Sequence, residues 1–204
     1  MLRTGTKRRD SSFRRVRGGR VKRLVRLIII VVAAAVAVPP VGFFVYDLVV
    51  FQPRLKELDA LLAHASAAER EPSTDIQRLV EASNDGHVST LAARLLVRRL
   101  HIPAVVEGEG GWHLTTGLWS TLVALHLPRE RQVAVVVSWS YMGNDRYGYS
   151  SEAVARYGRS LSVLSLDELA TVVALNHAPE WYSSSPERLA KRRDWLLSRI
   201  REGL

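Results

Sequence analysis

Cysteine is absent from this sequence, so histidine, serine and arginine are considered first as side chains that could do chemistry. Its absence excludes a disulfide framework, a thiol nucleophile and a zinc–cysteine site. The histidines lie at positions 64, 87, 101, 113, 126 and 177, and no two have the His-x-x-x-His spacing of a helical metal site. The serines at 138, 140 and 183–185 lack the pattern of a nucleophile elbow. We therefore expect no metal site, no cofactor and no catalytic serine.

A group of arginines forms the clearest set of anion-binding side chains. Ser89 to Leu100 has helical periodicity, with three leucines on the inner face and Arg94, Arg98 and Arg99 on the outer face. Guanidinium groups arranged in this way suit a diphosphate or an anionic lipid head group. A solvated helix face explains the same pattern, so the residues alone leave both interpretations open.

Three short helices, separated by turn residues, are predicted near the C-terminus. They are Ser150–Tyr157, Ser165–Asn176 and Ser185–Ile200. Gly158 is placed to end the first helix, and Ser165 with Glu168 forms a capping box for the second. The third opens with a serine followed by a proline, which loses no hydrogen bond at a first helical position.

The order and spacing of these residues resemble the C-terminal part of the family 51 glycosyltransferases, the peptidoglycan transglycosylases, and most closely their monofunctional, membrane-anchored branch. That family has a Phe-Gly-x-Gly-x-Tyr-Gly loop, a Phe-Gly-Lys sequence, a Leu-x-x-x-Glu-x-Ala helix, an Ala-Pro pair and an arginine-rich last helix. The residues in register are Met142, Gly143, Tyr147, Gly148, Tyr157, Gly158, Arg159, Leu164, Glu168, Ala170, Ala178, Pro179, Arg192 and Arg193. The resemblance implies a mainly α, lysozyme-like glycosyltransferase domain.

The same resemblance implies that the reactive groups of the family are missing. Family members polymerise a lipid-linked disaccharide, with one glutamate as general base and a second carboxylate near the leaving diphosphate. The Glu-Asp pair of the first motif corresponds to Ala65-Ser66, and the second glutamate falls near Thr115 or Thr116. We therefore predict that the chain has no catalytic residue.

Four residues are predicted to keep a substrate-binding role. Ser89 and Thr90 match the Ser-Thr of the family's Gly-Gly-Ser-Thr-Ile-Thr-Gln-Gln motif, although both glutamines are replaced. Arg94 lies in the same segment, and Arg159 stands where the family has a lysine that suits phosphate. For Arg159, a surface salt bridge is an equally good interpretation.

An active enzyme would need acidic residues at other positions to replace the missing catalytic glutamates. Glu107 and Glu109 lie in a predicted glycine-rich loop, Glu107–Gly111, near the expected cleft. Glu69 and Glu71 lie a few residues beyond the first motif. We interpret the first pair as solvated loop charges and the second pair as charges at helix ends.

The N-terminal region predicts a membrane anchor. Residues 1–26 contain 11 of the 29 Lys and Arg but one acidic residue, and form a basic tail that we expect to be disordered. Residues 27–46 are uncharged and long enough to cross a hydrocarbon core of about 30 Å. A buried core helix or a cleaved signal peptide are the alternatives. The positive-inside rule places the tail in the cytoplasm and the domain, residues 47–204, outside the cytoplasmic (inner) membrane.

The remaining segments are predicted to be mostly helical. Helical periodicity covers Phe51–Ala68, Asp75–Ala82 and Thr115–Leu127. Val133–Trp139 has the composition of a buried strand, whereas the family resemblance implies a helix, which we adopt. Residues 27–204 contain 18 basic and 19 acidic residues, so we expect no nucleic-acid partner.

These observations predict a membrane-anchored, transglycosylase-like domain that is catalytically inactive. Its expected partners are the membrane and either a lipid-linked peptidoglycan precursor or proteins of cell-wall synthesis. Two alternatives remain. One is an active, divergent glycosyltransferase with relocated acids, and the other is an unrelated helical interaction domain on a membrane anchor.

Overall fold

The structure, a computed structural model, describes residues 13–203, with side chains from residue 22 onward except that of Glu109. The first twelve residues of the predicted basic tail therefore lie outside the described residues. The chain divides into two compact units, with the boundary between Val50 and Phe51. The sequence places the boundary four residues earlier, between Tyr46 and Asp47.

The first unit contains one long helix, α1, from Phe13 to Tyr46, followed by a π-helical turn at Asp47–Phe51. Residues 13–26 are thus helical rather than disordered, because extending a formed helix costs far less than nucleating one. The apolar side chains of residues 27–46 are mostly exposed, and the helix is long and apolar enough to cross a membrane. This exposure argues against a buried core helix.

The second unit is mainly helical, with one two-stranded antiparallel hairpin. Short turns join most of its elements. The elements are α2 (Gln52–Ala63), α3 (Ala67–Arg70), α4 (Thr74–Ser83), α5 (Val88–Arg99), α6 (Glu109–His126), α7 (Arg129–Trp139), β1 (Tyr141–Gly143), β2 (Arg146–Tyr147), α8 (Tyr149–Tyr157), a 3₁₀ turn (Leu161–Val163), α9 (Leu166–Asn176), α10 (Pro179–Ser183) and α11 (Pro186–Arg201).

Helix α9 lies in the middle of the core, packed against α4, α8, α10 and α11. It begins at the predicted capping box, where Ser165 and Glu168 exchange hydrogen bonds. Its buried residues are Leu169, Ala170, Val172, Val173, Ala174 and Leu175. Burial on nearly every side of α9 means that packing, rather than an amphipathic stripe, holds this helix.

The valine-rich segment is helical, as the family resemblance implies, and the strand expected from propensity is wrong. Gln132 to Val137 are all buried within α7. A fully buried segment has no solvent to satisfy its backbone, and a helix pairs these groups within the segment itself. Tertiary packing here overrides the strand preference of valine.

Helix α6 begins six residues earlier than predicted and takes in part of the expected Glu107–Gly111 loop. Gly108, with a φ of 99°, precedes the helix. A β-carbon at Gly111 would collide with the Val106 carbonyl oxygen, so the preceding loop folds tightly onto the first turn. The Thr115 hydroxyl fixes this approach by accepting the Val105 N–H at 2.9 Å.

We expect Leu175→Ala to lower the free energy of unfolding by about 2–5 kcal/mol, because it leaves a cavity at a fully buried position of α9. Leu166→Ala, at a 38% exposed position of the same helix, is the matched control and should cost about 1 kcal/mol or less. Urea unfolding followed by tryptophan fluorescence measures both. Equal losses would contradict the central position of α9.

Candidate functional site

A surface cavity of about 280 Å³ opens where α2, α3, α7 and the start of α8 meet. We call it the Glu69 cavity after its buried carboxylate. Its lining residues are Leu61, His64, Ala65, Ser66, Glu69, Arg99, Ser138, Trp139, Tyr147, Ser150 and Ser151. Ala65 and Ser66, the residues matched to the family's first Glu-Asp pair, therefore lie in a cavity.

Glu69 is 7% exposed, and its carboxylate bonds two segments that are far apart in sequence. One oxygen accepts the Ser66 backbone N–H at 3.1 Å and the Ser66 hydroxyl at 2.9 Å. The other accepts the Ser150 N–H, in the first turn of α8, at 2.9 Å. A carboxylate at a helix N-terminus satisfies an otherwise unpaired amide and interacts favourably with the helix dipole.

The two serines of this network are also joined directly, with 2.7 Å between their hydroxyl oxygens. Because the single hydroxyl hydrogen of Ser66 is donated to Glu69, the Ser150 hydroxyl must donate to Ser66. Both oxygens of Glu69 are thus occupied by donors from the protein. Both acids lie at helix ends, as expected from sequence: Glu69 in the first turn of α3 and Glu71, which is exposed, at its C-cap position.

Gly148 makes the close approach of Glu69 to α8 possible. Its φ is 83°, and a β-carbon there would lie 2.6 Å from a Glu69 carboxylate oxygen and 2.9 Å from the Ser138 carbonyl oxygen. Its own N–H donates to the Ser140 carbonyl at 2.9 Å. The Tyr-Gly pair that the sequence matched to the family loop therefore supports the wall of the cavity.

Arg99 and Ser138 supply the uncommitted polar groups of the cavity wall. Arg99 is exposed, and within the part of the chain that the structure describes it has no hydrogen bond or ion pair. The Ser138 hydroxyl oxygen is buried and has no partner among the described residues. The cavity therefore offers the Arg99 cation to a ligand, while its one carboxylate is held by the protein.

The structure does not bring the four predicted substrate-binding residues into this cavity. Thr90 bonds the Ser120 hydroxyl at 3.0 Å, and Ser89 is half-buried. Arg94 is exposed on α5. Arg159 forms an ion pair with Glu168, which is the salt-bridge interpretation of this residue.

The positions expected for other acids also lie away from the cavity wall. Thr115 and Thr116, at the predicted place of the second glutamate, are buried inside α6. Glu107 is exposed before α6. Glu109 is the first residue of that helix, and its side chain lies outside what the structure describes. Among the described residues, no three His, Asp or Glu side chains cluster as metal ligands would.

Sequence reasoning named Arg99 among three candidate anion-binding arginines, but it missed the central role of Glu69. The Ser66-x-x-Glu69 pattern of a capping box was present in the sequence. It could have located the start of α3 but not the bond to Ser150, which joins residues 81 positions apart.

Comparisons with known proteins find partial similarity to penicillin-binding protein 1A from three bacteria. The chain is 34% identical to that of Pseudomonas aeruginosa and 39% identical to that of Aquifex aeolicus, each over 76 residues or 36% of this chain. It is 36% identical to that of Streptococcus oralis over 63 residues, 30% of this chain. The chain matches no protein-family model.

The matched segments amount to 9–10% of the length of these relatives. The chain therefore corresponds to a small part of each of them. The similarity is consistent with a transglycosylase-like, peptidoglycan-related domain.

We expect Gly148→Ala to lower the free energy of unfolding by about 3 kcal/mol or more, because backbone strain of about 1–3 kcal/mol adds to the collision with Glu69. Gly158→Ala is the matched control. Gly158 also has positive φ, 65°, but open space around the added carbon, so we expect a loss of about 1 kcal/mol. Thermal or urea unfolding measures both, and equal losses would contradict the proposed contact.

Proposed function

We propose that this protein is a membrane-anchored, transglycosylase-like domain of cell-wall assembly that binds lipid-linked precursor without polymerising it. The observation that carries the proposal is that the Glu69 carboxylate is hydrogen-bonded within the protein. It is the one carboxylate lining the cavity, and its oxygens accept three hydrogen bonds from Ser66 and Ser150.

A general base must accept a proton from the sugar hydroxyl that attacks, so it needs a free lone pair within hydrogen-bond reach of the substrate. The amide of Ser150 and both donor groups of Ser66 fill three of the about four acceptor positions of the Glu69 carboxylate, and the side chain is 7% exposed, so little of it is within reach of a substrate. Releasing them would leave a buried carboxylate and two helix-terminal amides without partners, which is costly. Glu69 therefore acts as a structural group.

Binding a ligand requires fewer groups in the cavity than catalysis does, because no proton has to be transferred. The Arg99 guanidinium suits a phosphate or carboxylate oxygen, since charge-assisted hydrogen bonds are the stronger ones. The side chain of Ser151 and the ring of Tyr147 line the same cavity and suit a sugar. These groups support recognition of an anionic, hydroxyl-rich ligand.

Two further observations support a place in cell-wall assembly. The C-terminal motif residues resemble the peptidoglycan transglycosylases, and about a third of the chain is similar to penicillin-binding protein 1A. The exposed apolar helix fits a retained anchor that holds the domain at the outer face of the cytoplasmic membrane.

An active, divergent glycosyltransferase is the second candidate, because Glu69 does lie in the cavity next to the predicted first-motif position. In that case the substrate hydroxyl would have to reach the remaining acceptor position of a carboxylate whose side chain is 7% exposed.

We expect the purified full chain in neutral detergent to bind fluorescent lipid-linked disaccharide saturably and to form no polymer. Arg99→Ala should weaken binding about tenfold, the loss of one charge-assisted hydrogen bond. Arg94→Ala is the matched control, since Arg94 is exposed on the same helix but does not line the cavity, and its affinity should stay within about twofold. Fluorescence anisotropy measures binding, and gel electrophoresis detects polymer.

Polymer made by the wild type and abolished by Glu69→Gln would establish the divergent enzyme instead. Failure of the wild type to bind the precursor at all would overturn the binding function. Equal weakening by both arginine variants would remove the cavity as the binding site.

A further inference from the structure

One half-buried face of helix α11 carries three arginines and a tryptophan, and the neighbouring helix α10 adds a second tryptophan. Residues 188, 192, 195 and 199 are spaced so that they lie along one face of the helix. The Arg188 guanidinium lies 4.2 Å from the ring centroid of Trp181, in α10. Those of Arg192 and Arg199 lie 4.0 and 5.0 Å from that of Trp195. We call these five residues the Trp–Arg face.

The two rings of the Trp–Arg face are open to solvent although they are large and apolar. Trp181 is 53% exposed and Trp195 is 36% exposed, whereas the leucines on the opposite side of α11 are buried. The stacked guanidiniums hold the rings in place. Aromatic rings that are already ordered lose little entropy on binding, and tryptophan and arginine are the residues that most often dominate protein interfaces.

Helix α11 also concentrates positive charge in a domain that otherwise has an acidic excess. Residues 186–201 contain six Lys and Arg against two acidic residues, which leaves 12 basic and 17 acidic residues in the rest of residues 27–204. Three of these cations form ion pairs, Lys191 with Glu187, Arg193 with Asp194 and Arg199 with Asp85. The net charge of the helix remains positive.

Arg188 is one of the cations of α11 that carry uncompensated positive charge. Its guanidinium donates to the Ser184 hydroxyl at 3.3 Å and stacks on Trp181, and among the described residues it has no carboxylate partner. Arg192 likewise donates to the carbonyl and hydroxyl oxygens of Ser83 rather than to an acid. The uncompensated positive charge of this face is therefore available to a negatively charged partner.

We propose that the Trp–Arg face is a docking surface for an acidic segment of a partner protein, with Trp181 and Trp195 as its aromatic anchors. Charge complementarity selects an acidic occupant, and the apolar edges of the two rings contact its aliphatic side chains. A lipid surface fits less well, because the apolar side of α11 is already buried in the core and two separate rings do not make the apolar face of an interfacial helix.

A short dansyl-labelled peptide rich in Glu and Leu is a suitable probe for the full chain in neutral detergent. Energy transfer from tryptophan to dansyl reports binding to the folded domain, since residues 1–26 contain no tryptophan. The test variant is Arg188→Glu with Lys191→Glu. The matched control is Arg54→Glu with Lys56→Glu on α2, which reverses the same charge and likewise breaks one exposed ion pair, Arg54–Glu57.

We expect the wild type to bind the peptide, the α11 variant to bind at least about tenfold more weakly and the α2 variant to stay within about twofold. Unchanged thermal unfolding of the α11 variant shows that the loss is local. Trp181→Ala, followed by dansyl anisotropy, should weaken binding by a similar factor.

Equal affinity of the two charge-reversed variants would overturn the proposal, as would failure of the wild type to prefer this peptide to one of the same length rich in Lys and Leu. Displacement of the peptide by phosphatidylglycerol micelles would identify an anionic lipid surface as the occupant instead. A dimer that forms without peptide and is lost in the α11 variant would assign the face to a second copy of the chain.

Discussion

The carboxylate of Glu69 is the constraint on which the candidate site depends. A buried charge is costly unless it is paired or fully hydrogen-bonded, and Glu69 is satisfied by three donors rather than by a cation. Those donors belong to the start of α3 and the start of α8, which are distant in sequence. One side chain thereby positions two helix N-termini and the cavity between them.

This role limits the chemistry that remains available. Three of the about four acceptor positions of the carboxylate anchor α3 and α8, which leaves little of it for the substrate hydroxyl that a general base must meet. Gly148 shows how closely the structure is built around this role, because the smallest side chain would reach the Glu69 carboxylate. Catalytic function depends on such a site rather than on the fold around it.

The Glu69 cavity and the Trp–Arg face are two different kinds of surface on one domain. The cavity is concave and offers one free cation, Arg99, among hydroxyl groups. The Trp–Arg face is a surface of α10 and α11 on which guanidinium groups stack on two aromatic rings. The first suits a small anionic ligand and the second an extended acidic one.

The sequence alone determined the features that depend on neighbouring residues. These include the Ser165–Glu168 capping box, the end of α8 at Gly158, the proline at the start of α11 and the long uncharged N-terminal stretch. Only the tertiary structure decided the helical state of Val133–Trp139, the early start of α6 and the bond between Glu69 and Ser150. Caps, turns and apolar length act within a few residues of the chain. Burial on all sides and a carboxylate shared by two helices arise only when remote segments pack together, and the tight loop before α6 depends on the Val105–Thr115 hydrogen bond, which apolar periodicity does not show.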